Sequence, residues 1–283
     1  MADKREDLLQ RIIAWAQGRG DVRGLALIGS GARDEQPADE WSDLDFVLVS
    51  AEAGRYLGGT EWFAEIAEPW IATVERSPQG VLYERRVLFY GGLDADFILL
   101  SSADLGPLGQ EPLATILTRG IKVLVDKDQL LSGSLPGIRA SQGDKNRNFA
   151  PTAEEFSELV NDFWYHAVWT AKKIRRGELW TAKSCCDVYM KSHLLKAVEW
   201  TAGEGVQTWY NGRFIERWAG ADVLARLRGV FAHYEEEDLW RALGETMALF
   251  DRCAQATALR LGYPYPRDAA KGITSWVNAR LLS

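Results

Sequence analysis

Two aspartates separated by one residue, Asp43 and Asp45, are the clearest candidates for chemistry in this sequence. They open an apolar run, 46–49, that is typical of a strand, in which successive side chains point to opposite faces. Both carboxylates therefore share one face, while Leu44 lies on the other. Two carboxylates a few ångströms apart repel each other unless a cation lies between them, and oxygen ligands suit Mg²⁺. The pair predicts a magnesium site.

A second polar feature, Gly29-Ser30, precedes this pair. It follows the apolar run 25–28, so it lies at the end of a predicted strand. A turn at that place offers free backbone N–H groups and a hydroxyl, which can hold phosphate oxygens. A phosphate grip beside a paired-Asp metal site indicates nucleotide chemistry.

The first half of the chain mixes strand and helix patterns. Leu8, Ile12 and Trp15 share one face of a helix predicted at 4–19. The other predicted elements are a strand at 22–28, a short helix opened by Gly31 and Ala32 and ended by Pro37, a helix-spaced apolar stretch at 61–75, a hairpin at 81–100 around Gly91-Gly92, a helix at 112–119 and a strand at 121–125. This order predicts an α/β (α+β) domain with a mixed sheet.

The second half reads as helices. Residues 132–151 are the most loop-like stretch of the chain, and Thr152 and Glu155 then have capping-box spacing. Beyond them there is no convincing strand, and helices are predicted at 152–176, 178–203, 213–232, 235–262 and 268–282. We therefore predict an α/β domain at 1–135, a linker at 136–149 and an all-α helical bundle at 150–283.

Composition limits the possible partners. The 283 residues are 47% hydrophobic and 26% charged, as in soluble globular proteins, and suffice for two modest domains. The net charge of −7 argues against nucleic acid, which needs Lys- and Arg-rich surfaces. No apolar run reaches the roughly 20 residues that span a bilayer, so no membrane partner is expected. The three cysteines have neither disulfide nor zinc spacing, which favours a reducing cytoplasm.

These features resemble a known family. Gly29-Ser30 followed by Asp43-Leu44-Asp45 resembles the DNA polymerase β-type nucleotidyltransferase superfamily. More of the chain is similar to the aminoglycoside 6-adenylyltransferases, the streptomycin adenylyltransferase family. The segments that carry this narrower resemblance are Asn161-Asp-Phe-Trp164, Lys172, Arg176, Glu178, the segment 191–196 and Tyr263-Pro-Tyr265. The resemblance covers most of the chain and is thinnest between residues 50 and 85.

The resemblance implies a nucleotidyltransferase domain followed by an acceptor-binding helical domain. One or two Mg²⁺ ions would be held by Asp43 and Asp45, with ATP as the co-substrate. The sheet of this superfamily needs a third carboxylate on a neighbouring strand. Asp96, which precedes an apolar strand, matches it, and Asp94 on the same face is the rival. Asp96 would act as a general base or as a ligand of a second ion, and the sequence leaves both open.

The resemblance also suggests contacts for the two substrates. These enzymes commonly carry Gly-Ser-Arg, whereas this chain has Gly31 in the third place and Arg33 two residues later. Either Arg33 supplies the missing cation at the triphosphate, or that contact is absent. The predicted nucleotide contacts are Gly29, Ser30, Arg33, Lys172, Arg176 and Lys183. A polycationic acceptor calls for carboxylates and aromatic faces. The predicted acceptor contacts are Glu158, Asp162, Trp164, Trp169 and Asp187.

The function expected from the resemblance is the transfer of AMP from ATP to a hydroxyl of an aminoglycoside, streptomycin first, with release of pyrophosphate. Nucleotidyl transfer to another small-molecule hydroxyl is the alternative within the enzyme class. A nucleotide-binding relative without turnover is the alternative outside it, and it is disfavoured because all three carboxylates are present. The acidic net charge disfavours tRNA as the acceptor.

Overall fold

The structure is a computed structural model that describes residues 4–34, 36–76, 82–109, 113–114, 117, 120–141, 150–203, 206 and 208–281. The chain divides into two compact units, Met1–Lys145 and Asn146–Ser283. The first unit mixes strands and helices, and the described part of the second is helical. Within the described ranges, no helix has both the length and the apolar character needed to cross a lipid bilayer.

One mixed sheet organises the described part of the first unit. Its strands are β1 Val22–Ile28, β2 Leu44–Ser50, β3 Pro69–Arg76, β4 Tyr83–Phe89, β5 Leu93–Ser101 and β6 Lys122–Asp126. They lie in the order β3-β4-β5-β2-β1-β6, with β2 and β5 parallel and the other neighbouring pairs antiparallel. β4 and β5 form the hairpin predicted around Gly91-Gly92. The predicted mixed sheet is confirmed.

Alternation along the central strands divides the apolar side chains between two cores. Phe46 of β2 and Phe97 of β5 stack with ring centroids 5.2 Å apart in the first core. Their neighbours Val47 and Ile98 point to the second core, on the opposite face of the sheet. The helices of this unit are α1 Lys4–Gly18, α2 Ala53–Gly58, α3 Glu61–Ala64 and α4 Leu130–Ser141. Buried side chains of α1, α2 and α3 belong to the first core, and Leu131 of α4 belongs to the second.

The stretch 61–75 is not the helix that its apolar spacing suggests. Helix α3 ends at Ala64, and strand β3 begins at Pro69, which lacks the N–H group that a continuing helix would use. Trp70 and Ile71 consequently lie on an edge strand, where they are 55% and 67% exposed. The helical turn after β1 also differs, because it is a 3₁₀ turn over Gly29–Gly31 and not a helix that begins at Gly31.

The predicted linker 136–149 is wrong in its first part, since α4 continues through residue 141. Leu131 and Leu135, four residues apart, are buried on one side of α4, and this packing outweighs its Gly and Pro content. Residues 142–149 lie outside the described residues. Of the helix predicted at 112–119, residues 113, 114 and 117 are described and helical, and the others lie outside the description.

The second unit starts with the predicted capping box. Thr152 Oγ1 accepts a hydrogen bond from the Glu155 N–H at 3.1 Å, and the Glu155 carboxylate accepts one from the Thr152 N–H at 2.8 Å. The helices are α5 Ala153–Arg175, α6 Leu179–Ser184, α7 Met190–Ala202, α8 Ile215–Trp218, α9 Ala221–Leu227, α10 Glu236–Leu261 and α11 Arg267–Leu281. A π-helical segment, Cys185–Tyr189, joins α6 to α7. The helix predicted at 213–232 is broken, because Ala219 and Gly220 adopt extended backbone conformations.

The core of the second unit centres on aromatic contacts between α5 and α10. Phe163 and Phe250 stack with ring centroids 3.5 Å apart. Next to them, Trp164 donates from Nε1 to the Tyr265 hydroxyl at 3.0 Å, which donates to Asp251 at 2.6 Å. The polar groups of these buried rings are therefore satisfied, which permits the all-α bundle to close over them. The predicted α/β domain followed by a helical bundle is confirmed.

Candidate active site

Three carboxylates meet on the face of the sheet that carries the second core. The parallel pairing of β2 with β5 places Asp45 beside Asp96, and Asp43 immediately precedes β2. One oxygen atom from each of the three carboxylates lies within 4.8 Å of the other two. Carboxylate oxygens are the hard ligands that Mg²⁺ prefers, so the set fits this ion. The fold thus brings together the three carboxylates that were predicted from separate segments.

Asp96 is the buried member of the three, with 8% of its surface exposed. Burial raises the pKa of Asp96 to about 7, and the neighbouring Glu84, Asp45 and Asp43 add to the rise while Arg86 opposes it. A carboxyl group in this environment can take up a proton near neutral pH, whereas a bound cation would favour its ionised form. Among the described residues, this carboxyl combines metal-ligand geometry with a strongly raised pKa.

Asp94, the rival of Asp96, lies two residues earlier on the same strand and face. Asp94 is exposed, but partial loss of solvent around its carboxyl group, followed by the charge of Asp43, raises its pKa. Within the described ranges, the carboxylate group that meets the 4.8 Å spacing includes Asp96 and not Asp94. The geometry therefore favours Asp96 as the third carboxylate.

Gly29 lies directly against Asp45. Its φ angle is +62°, which L side chains rarely adopt, and a Cβ atom on it would lie 2.2 Å from Asp45 Oδ2. Pairing of Ile28 with Asp45 in the β1–β2 ladder holds the turn at this short distance. Glycine is therefore required here both for the backbone conformation and for the approach of the carboxylate.

Ser30 follows in the 3₁₀ turn. Its Oγ atom is buried and, among the described residues, has no hydrogen-bond partner. A buried hydroxyl without a partner is costly, and a ligand oxygen at the turn would relieve that cost. The backbone N–H groups of a turn and a serine hydroxyl suit a phosphate group. This arrangement supports the predicted phosphate grip.

Two cations near the turn were missed by the sequence reasoning. Lys122 of β6 donates from Nζ to the carbonyl oxygen of Gly31 at 2.9 Å. Arg5 of α1 donates to the carbonyl oxygens of Ser42 and Asp43 at 3.0 and 3.2 Å. Both cations come from segments distant in sequence, so no local motif signals them. They place positive charge beside the turn and the carboxylates.

Arg33 was predicted to replace the cation that the family carries after Gly-Ser. Its Nε donates to the carbonyl oxygen of Gln36 at 2.9 Å, within its own loop. Position 31 itself is crowded, because a Cβ on Gly31 would lie 2.8 Å from Leu27 and 3.2 Å from Arg5 Nη2. The guanidinium of Arg5 therefore occupies space next to the position where the family has its arginine.

The predicted nucleotide contacts of the second unit differ in their surroundings. Lys172 is exposed on α5. Arg176 pairs with Glu178 at 2.6 Å, and its side chain is 72% exposed. Lys183 is more constrained, because it pairs with Asp187 at 2.5 Å and also donates to the carbonyl oxygen of Ala232. Lys172 and Arg176 thus remain accessible cations, whereas the ammonium group of Lys183 is held by Asp187 and the Ala232 carbonyl oxygen.

The predicted acceptor contacts divide in the same way. Asp162 is partly exposed and lies among Tyr189, His193 and His166, at 2.7, 2.7 and 3.2 Å. Trp164 is only 3% exposed, so it packs in the core and offers no surface to an acceptor. The other three contacts are Glu158, exposed on α5, Trp169, which lies under Lys173 at 5.1 Å, and Asp187, which pairs with Lys183 and Lys191.

Comparison with known proteins identifies the family of the chain. The family model for streptomycin adenylyltransferase matches residues 2–280. The aminoglycoside 6-adenylyltransferase of Bacillus subtilis (strain 168) is 22% identical over 284 residues, 96% of this chain and 95% of that protein. The protein of the same name from Staphylococcus aureus is 23% identical over 204 residues, 70% of this chain and 69% of its own length. A crystal structure of an aminoglycoside 6-adenyltransferase from Bacillus subtilis covers 99% of this chain and 98% of that chain at 19% identity, with a TM-score of 0.43.

The mixed sheet, the three carboxylates and the Gly-Ser turn are the parts expected of a nucleotidyltransferase. With a family model that matches nearly the whole length, the chain belongs to the streptomycin adenylyltransferase family.

Proposed function

We propose that this protein transfers AMP from ATP to a hydroxyl of an aminoglycoside, with streptomycin as the first candidate, and releases pyrophosphate. The observation that carries the proposal is the group of Asp43, Asp45 and Asp96, whose oxygens approach within 4.8 Å in a chain of this family. The names of the two curated relatives support an aminoglycoside as the acceptor.

The phosphate grip supports the nucleotide part of the proposal. Gly29 brings the backbone of the turn against Asp45, and the Ser30 hydroxyl, which has no partner among the described residues, is available to donate to a phosphate oxygen. Lys122 and Arg5 add positive charge beside the turn, which favours a triphosphate. The donor would thus lie with its phosphates next to the carboxylates.

Asp43 and Asp45, joined by Asp96, would hold Mg²⁺, since their oxygens are close together and lie next to the phosphate turn. When bound, the ion would neutralise charge on the triphosphate and make the α-phosphorus easier to attack. The acceptor oxygen would form a bond to that phosphorus, and the bond to the bridging oxygen of the β-phosphate would break with its electron pair. Pyrophosphate would leave, and AMP would remain on the acceptor.

The attacking hydroxyl must lose its proton. Asp96 would take it as a general base, or would instead help to bind a second ion. The two roles differ in a measurable way, because a second ion makes the rate depend on more than one Mg²⁺. We assign the acceptor contacts to the second unit, where Glu158 is exposed and Asp162 and Trp169 are partly exposed, and where carboxylates and an aromatic ring suit a polycation.

The test is pyrophosphate release from MgATP, with streptomycin, other aminoglycosides and a lincosamide as separate acceptors. We expect streptomycin-dependent release that disappears in Asp45→Asn and on removal of Mg²⁺ by a chelator. Asp94→Asn is the matched control, since it removes the same charge from an exposed position on the same face and should retain most activity. Pyrophosphate release with another aminoglycoside but not with streptomycin would identify that compound as the acceptor instead. If the protein binds MgATP but releases no pyrophosphate with any of the acceptors, the proposed transfer is refuted.

A further inference from the structure

Arg86 of β4 faces the carboxylate group and was not recognised in the sequence. The antiparallel pairing of β4 with β5 places Arg86 directly opposite Asp96. Its Nε lies 3.2 Å from Asp96 Oδ2. Because Asp96 also pairs with Asp45 on its other side, the row Asp45, Asp96 and Arg86 crosses three neighbouring strands on one face. Arg86 is therefore the cation next to the third carboxylate.

Two further carboxylates hold the guanidinium group in place. Arg86 Nη1 lies 3.1 Å from Glu75 of β3, and Nη2 lies 3.4 Å from Glu84 of β4. Each nitrogen of the planar group thus has its own carboxylate, and these partners lie on three strands. A guanidinium held by Glu75 and Glu84 can impose an orientation on a third carboxylate, Asp96, which a freely rotating cation could not do.

The Asp96 side chain lies close to two other carboxylates, which would displace it unless another group held it in place. The side chain of Asp96 is 11% exposed, whereas that of Arg86 is 46% exposed, so the ion pair links a buried carboxylate to the surface of the sheet. Asp45 and Asp43 lie within 4.8 Å on the other side and carry the same charge. Repulsion between like charges would turn a loose Asp96 side chain away from them. The contact to Oδ2 opposes this movement while a carboxylate still has a second oxygen for another ligand.

We propose that Arg86 is a positioning residue, which holds the Asp96 carboxylate in register with Asp43 and Asp45 and is itself held by Glu75 and Glu84. This inference rests on the proposed function, because it assigns Arg86 a part in that reaction. Removal of a residue that orients a metal ligand without binding the metal itself typically lowers metal affinity or activity about 10- to 100-fold. Arg86 touches neither the donor nor the acceptor in this role.

The experiment compares Arg86→Gln and Arg86→Lys with the wild-type protein. Arg86→Gln removes the charge and the three-point fork, and Arg86→Lys keeps the charge but loses the fork. Arg76→Gln is the matched control, because it removes the same charge from β3, where Arg76 lies 5.3 Å from the Tyr83 ring. Two readouts are used: kcat and KM for pyrophosphate release, and crystal structures of the variants, which show the Asp96 side chain without any need for turnover.

The proposal expects kcat to fall about 10- to 100-fold in Arg86→Gln and less in Arg86→Lys, with the KM for ATP within about twofold of wild type. The crystal structure of Arg86→Gln should show the Asp96 carboxylate turned out of the 4.8 Å group. An Asp96 side chain that stays in place, or a loss confined to KM, overturns the positioning role. If the wild-type protein releases no pyrophosphate with any acceptor, the proposed function fails, and the position of Asp96 in the variant crystal alone decides the role of Arg86.

Discussion

At the residue scale, the contact between Gly29 and Asp45 shows that the turn and the carboxylate are packed too tightly for a side chain at position 29. The turn could not approach the carboxylate with any side chain in this place, since a Cβ would lie 2.2 Å from Asp45 Oδ2. The Ser30 hydroxyl beside it is buried and, within the described ranges, has no protein partner. The unpartnered hydroxyl disfavours the isolated protein and favours a bound phosphate, and glycine lets the turn lie at this short distance without strain.

Gly29→Ala should therefore damage the site more than the fold. We expect a left-handed strain of about 1–2 kcal/mol in the free energy of unfolding. Displacement of Asp45 should also reduce Mg²⁺-dependent pyrophosphate release by about 100-fold. Denaturant unfolding and the release assay measure the two effects.

Gly92→Ala is the control for this prediction. Gly92 has a φ angle of +78°, but a Cβ on it meets nothing within 4 Å, so its variant carries the strain without the collision. It should lose a similar amount of stability and keep its activity. Equal activities of the two variants would contradict the assignment of Gly29 to the site.

At the element scale, the parallel pair β2 and β5 does the positioning. The register Asp45 to Asp96 follows from the apolar residues that continue both strands, since a one-residue shift of either strand would turn its buried phenylalanine, Phe46 or Phe97, out of the first core. Packing thus fixes where the carboxylates meet. In the second unit, the helix starts have equally specific contacts, of which Asp238 in the first turn of α10 is an example.

Asp238 supports a prediction on the pH dependence of stability. It accepts hydrogen bonds from Arg241 Nε and the His233 N–H, both at 2.6 Å. These bonds, that of Arg241 first, lower the pKa of Asp238 from 3.8 to about 2. A lowered pKa stabilises the folded state above the unfolded value, and the contribution is lost as pH falls through the folded value. Asp238→Asn should therefore reduce stability at neutral pH, and the difference should shrink below about pH 4 and vanish near pH 2.

Urea unfolding at a series of pH values measures this difference. Glu237→Gln is the matched control, because it neutralises a neighbouring acid that has no hydrogen bond or ion pair among the described residues. A difference that grew towards acid pH would show that the sign is wrong.

At the scale of the whole molecule, each unit has its own core. The first unit packs helices on both faces of one sheet, and the second surrounds the stacked Phe163 and Phe250 with helices. The carboxylate group belongs to the first unit, and the candidate acceptor contacts belong to the second. A domain division into catalytic and acceptor-binding parts stays a prediction.

The core of the second unit can be tested through Phe250. Its ring is fully buried and stacks on Phe163. Phe250→Ala should cost about 3–5 kcal/mol of unfolding free energy, because it leaves a cavity that the neighbours fill only in part. Hydrogen exchange of the α5 and α10 amides measures the loss. Leu259→Ala, at an 83% exposed position of the same helix, should change the exchange by less than about 0.5 kcal/mol, and a comparable effect there would contradict the core assignment.

The sequence alone identified many of the elements and supplied the candidate motifs. Period-2 and period-3.6 patterns identified β1, β2, the β4–β5 hairpin, α1, α5 and α10, since long amphipathic segments carry their own burial pattern. The Gly29-Ser30 and Asp43-Leu44-Asp45 motifs were visible because their members are neighbours in the chain. The patterns failed at 61–75, where the chain turns to a strand at Pro69, and at 213–232, where the backbone is extended at Ala219 and Gly220. They also failed at 136–141, where the packing of α4 outweighs its Gly and Pro content.

Only the tertiary structure decided which distant groups meet. The family resemblance favoured Asp96 over Asp94, and the β2–β5 register is what places Asp96 beside Asp45. The contact of Arg86 with Asp96 follows from the β4–β5 register. Arg5 and Lys122 reach the turn from separate elements. Trp164, predicted as an acceptor contact, is instead buried in the core. Side chains brought together by strand pairing leave no spacing in the sequence, because the distance between them is set by hydrogen bonds across the sheet and not by the number of residues along the chain.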